Sequence, residues 1–407
     1  MTHCRVCNEV FAPFLSFGQQ PLANAFLEKQ HFSKEYFFEL AVGFCKSCTM
    51  VQLVNQPDPN VMFHGNYSFF SQTSRAMEQH FAEFAQEICE RFLKVPSKSL
   101  VIELGSNDGI FLKHFKSKGI PHLGIEPSKN VAEVAKGHGI ETWVEFFDEG
   151  LAEMILQKVG QADAITAANC MCHIPAIHAV ANGMKKLLKP GGVIAFEDPY
   201  LGDILEKTSY DQIYDEHVFL FSLSSIRNVF SRHGLDLFDV KKLETHGGSM
   251  RYYLCHENDR KATDAVQFWL QKEAALGVDR PETFRKFKDS CESSRRELVD
   301  LLNRLKREKK RVIGYAATSK STTVINYCGL GPDLIEFISD TTPIKHGKFS
   351  PGKHIPVKPY EKFKTPFPEY ALLFGWNHAK EIMEKEQEFV SKGGKWIVYV
   401  PRVEIVE

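Results

Sequence analysis

The sequence predicts an α/β protein in three parts: an N-terminal Cys4 zinc-binding domain followed by two parallel-sheet units. Two Cys-x-x-Cys pairs lie near the N-terminus, the middle of the chain alternates strand-like apolar runs with helical ones, and the last third repeats that alternation. We expect a zinc-binding domain at 1–62, a Rossmann-like domain at 63–245 and a second Rossmann-like domain at 246–407.

Length and composition are those of ordinary globular domains. The chain has 407 residues, of which 43% are hydrophobic and 25% charged. Its 50 Lys+Arg residues balance 51 Asp+Glu, so no basic surplus points to nucleic acid. No apolar run reaches the roughly 20 residues of a membrane span, and the N-terminus does not have the pattern of a leader. We expect a cytoplasmic protein, monomeric or weakly dimeric, with no membrane partner.

Four cysteines have the spacing of a zinc site. Cys4 and Cys7 form one knuckle, and Cys45 and Cys48 form another. Two such knuckles supply the four thiolates of one closed tetrahedral site, which leaves no open position for catalysis. We therefore predict structural zinc. The alternative is a set of unrelated reduced cysteines, as a cytoplasmic chain would carry.

An aromatic and hydroxyl-rich connector follows, and it contains Tyr67 and Ser71. It leads into a predicted helix over 75–93, whose apolar residues recur at helical spacing. The hydroxyl of Tyr67 either points into a cleft or belongs to a packed ring; the sequence leaves both interpretations open.

A strand over 99–104 leads into a glycine-rich turn, a helix over 110–118 and a second strand over 122–126. The turn needs Gly105 and Gly109 because its backbone must approach a ligand closely. Glu126 ends the second strand, where a carboxylate can accept hydrogen bonds from a ribose. This order predicts an adenosine-type cofactor at the carboxyl edge of the sheet.

The acids of the turn select the cofactor. Glu103 opens the turn, and Asn107 and Asp108 lie within it. Carboxylates here would repel a dinucleotide pyrophosphate but suit the ammonium and sulfonium of S-adenosylmethionine. The turn, Glu126 and a later Leu-Lys-Pro-Gly-Gly run over 188–192 resemble class I methyltransferases.

Later strands are predicted over 162–169 and 191–197. Asn169 and His173 follow the earlier of these two strands at the same edge, and a core-capping role is the alternative for His173.

The run Tyr214, Asp215, Glu216 and His217 lies between apolar neighbours. Four polar side chains in a row are costly to bury without partners, so a loop at the mouth of the sheet is expected. An imidazole suits proton abstraction near neutral pH, and a neighbouring carboxylate can fix its tautomer. We interpret His217 as a candidate base and Glu216 as its orienter. The alternative is a polar surface loop.

The C-terminal third repeats the order of strand, turn, helix, strand and acid over 311–340. It lacks paired glycines for a dinucleotide. Ser319, Lys320 and the helix N-terminus could bind a diphosphate, and a purely structural role is the alternative.

Taken together, these motifs resemble the three-domain nucleotide-sugar C-methyltransferases, which methylate a carbon beside the ketone of a thymidine-diphosphate-linked 4-keto deoxysugar. The resemblance covers essentially the whole chain and includes 20–24 and 246–251. It implies that His217 is the base. It also implies that the sugar pocket is lined by Tyr67, Ser71, Asn169, His173, Tyr214 and Glu216.

The chemistry agrees with these residue types. Methyl transfer to carbon requires a base to remove the proton beside a carbonyl, and donors to stabilise the enolate oxygen. The family suggests carbon 3 as the target, followed by carbon 5. Methylation of a sugar oxygen or nitrogen, or a non-catalytic scaffold of the same shape, are the alternative functions.

Overall fold

The computed structural model describes residues 2–58, 62 and 75–407. It is a mixed α/β structure, as predicted, with three main sheets and one small hairpin. Tyr67 and Ser71 lie outside the described residues. Among the residues described, no helix combines the length and apolar content needed to cross a bilayer.

The N-terminal part consists of short antiparallel strands whose turns carry the cysteines. The strands are β1 (Thr2–His3), β2 (Val10–Phe11), β3 (Pro13–Pro21), β4 (Phe37–Phe44) and β5 (Val51–Leu53). The β1–β2 turn carries Cys4 and Cys7, and the β4–β5 turn carries Cys45 and Cys48. A two-residue strand from far along the chain, Phe219–Leu220, extends this sheet beside β5.

The central sheet has seven strands and is covered by helices. Its strands are β6 (Val101–Leu104), β7 (His122–Ile125), β8 (Thr142–Trp143), β9 (Ala162–Ala168), β10 (Leu188–Pro199), β12 (Leu235–Leu243) and β13 (Ser249–His256), and β11 is the Phe219–Leu220 strand. The order is β12-β13-β10-β9-β6-β7-β8. The strands from β6 to β10 are parallel, whereas β13 runs antiparallel to both of its neighbours. The carboxyl ends of the parallel strands therefore meet at one edge.

The helices of this part are α1 (Arg75–Phe92), α2 (Leu112–Lys116), α3 (Lys129–Gly137), α4 (Glu149–Lys158), α5 (Ile177–Leu187), α6 (Leu201–Lys207) and α7 (Leu223–Phe230). The predicted helix over 110–118 is thus one turn shorter. The predicted strand over 191–197 is longer in both directions, because β10 pairs with β9 from Leu188 and with β13 as far as Pro199.

The loop expected after β10 differs from the prediction. The chain instead enters α6 and then a 3-10 turn, Tyr210–Gln212, and residues 209–221 are all buried. His217 is only 4% exposed and Asp211 is 0% exposed. The polar surface loop is therefore excluded.

Helix α8 (Asp264–Leu276) packs against the central part, where Val266 belongs to the core and Glu273 accepts from Tyr200 and Ser224. The C-terminal part is a six-stranded sheet preceded by one long helix. Its helices are α9 (Pro281–Arg307), α10 (Ser319–Tyr327), α11 (Glu361–Lys364), α12 (Ala379–Lys385) and α13 (Gln387–Ser391). Its strands are β14 (Val312–Tyr315), β15 (Ile338–Asp340), β16 (Val357–Pro359), β17 (Tyr370–Leu373), β18 (Lys395–Val398) and β19 (Glu404–Val406), in the order β16-β15-β14-β17-β18-β19. Only β19 is antiparallel. Helix α10 follows β14, as the strand–turn–helix pattern predicts.

Candidate active site

The turn after β6 is shaped for a close ligand. Gly105 and Gly109 have φ of 69° and 81°, in the left-handed region that disfavours side chains. A Cβ on Gly105 would lie 2.6 Å from the Sγ of Cys170, so packing forbids a side chain as well. Asn107 has φ of 47°, which asparagine tolerates better than most residues.

Buried carboxyl groups surround this turn. Glu103 is 3% exposed, and its Oε2 has no hydrogen-bond partner among the described residues. Burial, together with the charges of Glu126, Asp108 and Glu197, raises the pKa of Glu103 well above its usual range. A buried carboxyl group with an unsatisfied oxygen favours a cationic ligand, because a cation would restore its ionised form. The ammonium of S-adenosylmethionine has this charge.

Glu126 fixes the shape of the turn as well as ending β7. Its Oε2 accepts a hydrogen bond from the backbone N–H of Asn107 at 2.9 Å, and its Oε1 accepts one from that of Ser128 at 2.8 Å. Each carboxylate oxygen can accept a second bond. Glu126 therefore can hold the turn and still accept hydrogen bonds from ribose hydroxyls.

Asn169 and His173 lie just beyond β9, as predicted. Asn169 has φ of 51°, its backbone N–H donates to the carbonyl of Glu197 at 2.7 Å, and its Oδ1 is buried without a hydrogen bond to the described residues. His173 lies on a 3-10 turn, Met171–His173. Burial lowers the pKa of His173 to about 4, so its ring is neutral near pH 7.

His217 lies beside these residues. Its ring centroid is 4.1 Å from that of Tyr214 and 5.3 Å from that of His173. The Nδ1–H of His217 donates to the backbone carbonyl of Gln212 at 2.6 Å, because a carbonyl can only accept. The lone pair of the neutral ring is therefore on Nε2. Burial lowers the pKa of His217 well below its ordinary value, which keeps that lone pair available.

The orienting group of His217 differs from the expectation. Glu216 was expected to fix the tautomer, but the Gln212 carbonyl makes the hydrogen bond to Nδ1. The Oε1 of Glu216 instead accepts from the Nδ2 of Asn24 at 2.6 Å. Adjacent side chains in an irregular segment point in different directions, so their proximity in sequence did not indicate contact.

The stretch from Tyr210 to His217 is held from both flanking parts of the chain. Asp211 Oδ2 accepts from the indole N–H of Trp376 at 2.6 Å and from the hydroxyl of Tyr399 at 2.8 Å. On the other side, the backbone N–H of Ala23 donates to Asp215 Oδ1 at 3.1 Å. The sequence offered no signal for Tyr399, which lies 188 positions from Asp211.

Lys320 is buried near the same stretch. Its Nζ donates to the carbonyl of His246 at 3.2 Å, and burial lowers its pKa to about 8, although the nearby Asp211 carboxylate opposes that shift. The Nε2 of His246 is buried without a hydrogen-bond partner among the described residues. Ser319 lies beside Lys320 at the start of α10, and its hydroxyl donates to Asn24 Oδ1 at 2.8 Å.

The four predicted zinc ligands are brought together. The Sγ atoms of Cys4 and Cys48 are 3.5 Å apart, and those of Cys7 and Cys45 are 3.4 Å apart. All four lie within 4.8 Å of one another. Gln52 Nε2 donates to Cys4 Sγ at 3.0 Å, as outer groups around a bound thiolate commonly do. This cluster fits one structural zinc ion with no position left for substrate.

A buried ion network anchors α1 to the sheet, and sequence analysis missed it. Glu197 at the end of β10 accepts from His80 Nε2 at 2.5 Å and from Arg251 Nη2 at 2.7 Å. Arg251 also donates to Glu87 at 2.9 Å. Burial raises the pKa of Glu197, but Arg251 and His80 outweigh it and lower that pKa to about 2. Helix α1 thus reaches the carboxyl edge of the sheet.

Three features define the class of protein as a methyltransferase with a structural metal centre. They are the glycine turn after β6, the closed cluster of four cysteines in the N-terminal part, and the buried His217 near the edge of the central sheet. The sequence matches three families, described as a zinc binding domain over 4–63, a methyltransferase domain over 76–240 and a C-methyltransferase C-terminal domain over 244–401. The C-methyltransferase NovU of Streptomyces niveus is 34% identical over 406 residues, which cover 99% of this chain and 96% of NovU.

The chain therefore belongs to the family of C-methyltransferases that includes NovU, and it is an S-adenosylmethionine-dependent C-methyltransferase. Other similarities are partial. The ubiquinone biosynthesis O-methyltransferase of Escherichia coli O7:K1 is 29% identical over 98 residues, which cover 24% of this chain and 41% of that enzyme. The solved complex of the Haloferax volcanii Trm112 activator with a methyltransferase matches 45% of this chain and 93% of that chain, at 15% identity and a TM-score of 0.37.

Proposed function

We propose that this enzyme methylates the carbon beside the ketone of a thymidine-diphosphate-linked 4-keto deoxysugar, with carbon 3 as the target, in the biosynthesis of a branched deoxysugar. One observation carries the proposal: a buried, neutral His217 whose Nδ1–H is engaged by the Gln212 carbonyl. Such a ring presents a single basic nitrogen, Nε2, at the sheet edge. S-adenosylmethionine supplies the electrophilic methyl group when it is bound.

The roles of the surrounding residues follow from their chemistry. His217 Nε2 removes the proton beside the ketone, and the hydroxyls of Tyr214 and Tyr67 and the amide of Asn169 are suited to donate to the enolate oxygen. Glu216 would contribute through its hydrogen bond with Asn24, on the N-terminal side of the proposed sugar pocket. His173, which is neutral near pH 7, would line the same pocket.

The diphosphate of the sugar nucleotide is assigned to Lys320. Only one hydrogen bond of its buried ammonium is made to the described residues, to the His246 carbonyl. An ammonium has three donors, so two remain for phosphate oxygens. A diphosphate would also raise the pKa of Lys320 back toward its ordinary value, because an opposite charge favours the charged form. Ser71 is a further proposed ligand of the sugar nucleotide, and Ser319 would join it by exchanging its hydrogen bond to Asn24 Oδ1 for one to a phosphate oxygen.

Hydrogen–deuterium exchange tests the proposal. We would incubate thymidine-diphosphate 4-keto deoxysugars with the enzyme and S-adenosylhomocysteine in deuterated buffer and follow the sugar protons by NMR. We expect exchange at carbon 3 with the unmodified protein and its loss in His217→Ala. His122→Ala, which removes a histidine whose Nδ1 bonds only to a local carbonyl, is the matched control.

Each alternative gives a different result. Exchange at carbon 5 alone would show that carbon 5, and not carbon 3, is the methylated position. Methyl transfer without any exchange would favour methylation of a sugar oxygen or nitrogen. Exchange that persists in His217→Ala would refute the assignment of the base. A protein that releases no heat with millimolar S-adenosylmethionine would be a scaffold instead of an enzyme.

A further inference from the structure

A second cluster of metal-binding side chains lies at the candidate active site, apart from the four knuckle cysteines. One ligand atom each from Cys172, His173 and His217 lies within 4.8 Å of the other two. We propose that these three residues form a second metal site that binds a borderline-soft divalent cation such as Zn²⁺ and thereby inhibits the enzyme. We refer to them as the Cys-His-His trio.

The donor set selects the class of metal. One sulfur and two imidazole nitrogens suit Zn²⁺, Co²⁺ or Cu²⁺, whereas Mg²⁺ and Ca²⁺ require oxygen ligands. Around a tetrahedral zinc ion, neighbouring N and S ligand atoms lie about 3.5 Å apart. Small rotations of the three side chains can convert the observed spacing into this one. The fourth position stays open to water, which distinguishes the trio from the closed cysteine cluster.

The surroundings prepare the trio for a metal. His217 donates its Nδ1–H to the Gln212 carbonyl at 2.6 Å, the outer contact that commonly directs the other nitrogen of a histidine to a metal. Cys172 and His217 are 1% and 4% exposed, so bulk water does not compete strongly for the ion.

Cys172 must lose its proton when the metal binds, because the thiolate, not the thiol, is the metal ligand. The S–H bond breaks, the sulfur–metal bond forms, and the proton passes to the solvent. Nothing is oxidised or reduced.

We expect inhibition because the metal and the substrate proton would compete for the same lone pair of His217, and this expectation rests on the proposed function. The Nε2 lone pair of His217 that would accept a substrate proton is the one that would bind the metal. A metal-bound His217 cannot act as a base. Zinc beyond the first equivalent should therefore stop proton abstraction without disturbing the cysteine cluster.

Metal counting tests the site without any assay of activity. We would dialyse the full-length zinc-containing protein against Zn²⁺ and measure bound zinc per chain. We expect two ions for the unmodified protein and one for Cys172→Ser. Cys170→Ser is the matched control, because it removes a half-buried thiol two residues from Cys172 but outside the trio, and we expect it to retain two ions. With Co²⁺ as the probe, the difference spectrum between the unmodified protein and Cys172→Ser should contain a thiolate-to-cobalt charge-transfer band.

A second variant guards against misfolding of Cys172→Ser. His217→Gln leaves the thiol intact but removes one nitrogen, and we expect it to weaken the second zinc ion by at least about tenfold. The proposal would be overturned if the unmodified protein bound only one zinc ion. It would also be overturned if Cys172→Ser and His217→Gln both bound the second zinc ion as tightly as the unmodified protein does. If two ions bind as expected but zinc does not slow deuterium exchange, the metal site stands and the role of His217 as the base fails.

Discussion

Removing the hydroxyl of Tyr399 tests whether the C-terminal part holds residues 210–217, which include the proposed base His217, in position. Tyr399 is fully buried, and its hydroxyl is one of two donors to Asp211 Oδ2, at 2.8 Å. The other oxygen of Asp211 has no hydrogen-bond partner among the described residues. The next residue, Gln212, supplies the carbonyl that orients His217. Tyr399→Phe therefore deletes one hydrogen bond to Asp211, the neighbour of the residue that orients the proposed base His217, and keeps the aromatic ring.

The expected magnitude follows from the kind of bond lost. A hydrogen bond to a charged group contributes about 1.5–3 kcal/mol. If the lost free energy was holding the Gln212 carbonyl in place against His217, kcat should fall by roughly tenfold to a hundredfold, since about 1.4 kcal/mol corresponds to a factor of ten. Affinity for S-adenosylmethionine should be unchanged, because the cofactor turn follows β6 and makes no use of Asp211.

The assay compares the kcat of methyl transfer, the Kd for S-adenosylmethionine by calorimetry and the Tm. Tyr360→Phe is the matched control, because its hydroxyl donates to the buried Glu386 at 2.6 Å within the C-terminal part. We expect both variants to lower Tm, but only Tyr399→Phe to lower kcat. If Tyr399→Phe lowers Tm as much as the control and leaves kcat intact, the hydroxyl serves stability alone and the positioning argument is refuted.

Three further predictions follow from the site. Glu103→Gln should weaken S-adenosylmethionine binding by about tenfold or more in calorimetry, because the neutral amide cannot pair with a cation; unchanged affinity would place the ammonium elsewhere. Removing zinc with a strong chelator should lower Tm and expose the β4–β5 hairpin to protease, since the metal replaces much of the missing core of a small domain; an unaltered Tm would make the metal dispensable. Acid should destabilise the protein through His173, whose folded pKa of about 4 lies below the ordinary 6.5. The unfolded chain binds the extra proton between those values, so the free energy of unfolding falls as pH drops from about 6.5 to 4. Urea titrations at several pH values give the free energy of unfolding as a function of pH. We expect this free energy to change less steeply with pH in His173→Gln than in the unmodified protein, and an equal pH dependence would contradict the lowered pKa of His173.

Local patterns were enough to predict the elements that carry the cofactor and the zinc ion. The two cysteine knuckles and the order of strand, glycine turn and acid are short-range signals, because each records a backbone or ligand requirement within a few residues. Gly105 is an example: its positive φ follows from a turn that the sequence marks.

Contacts between distant segments were not predictable in this way. The partner of Asp211 is Tyr399, that of Glu216 is Asn24, and Glu197 is shared by His80 and Arg251. The first two pairings depend on how the three sheets pack against one another, whereas Glu197 and Arg251 face each other across the paired strands β10 and β13. No local periodicity encodes either arrangement. The stretch 210–217 is expected from the sequence to lie at the mouth of the sheet, but it is buried. Residues from both flanking parts donate hydrogen bonds to Asp215 and Asp211, which the sequence does not indicate.

Transfer of a ¹³C-labelled methyl group tests the central claim most directly. We would react the enzyme with ¹³C-methyl S-adenosylmethionine and a thymidine-diphosphate 4-keto deoxysugar, and locate the label in the product by NMR. The account predicts a methyl carbon bonded to the ring carbon beside the ketone, formed by the unmodified protein and not by His217→Ala. A methoxy or N-methyl signal, or the same C-methyl product from His217→Ala, would contradict it.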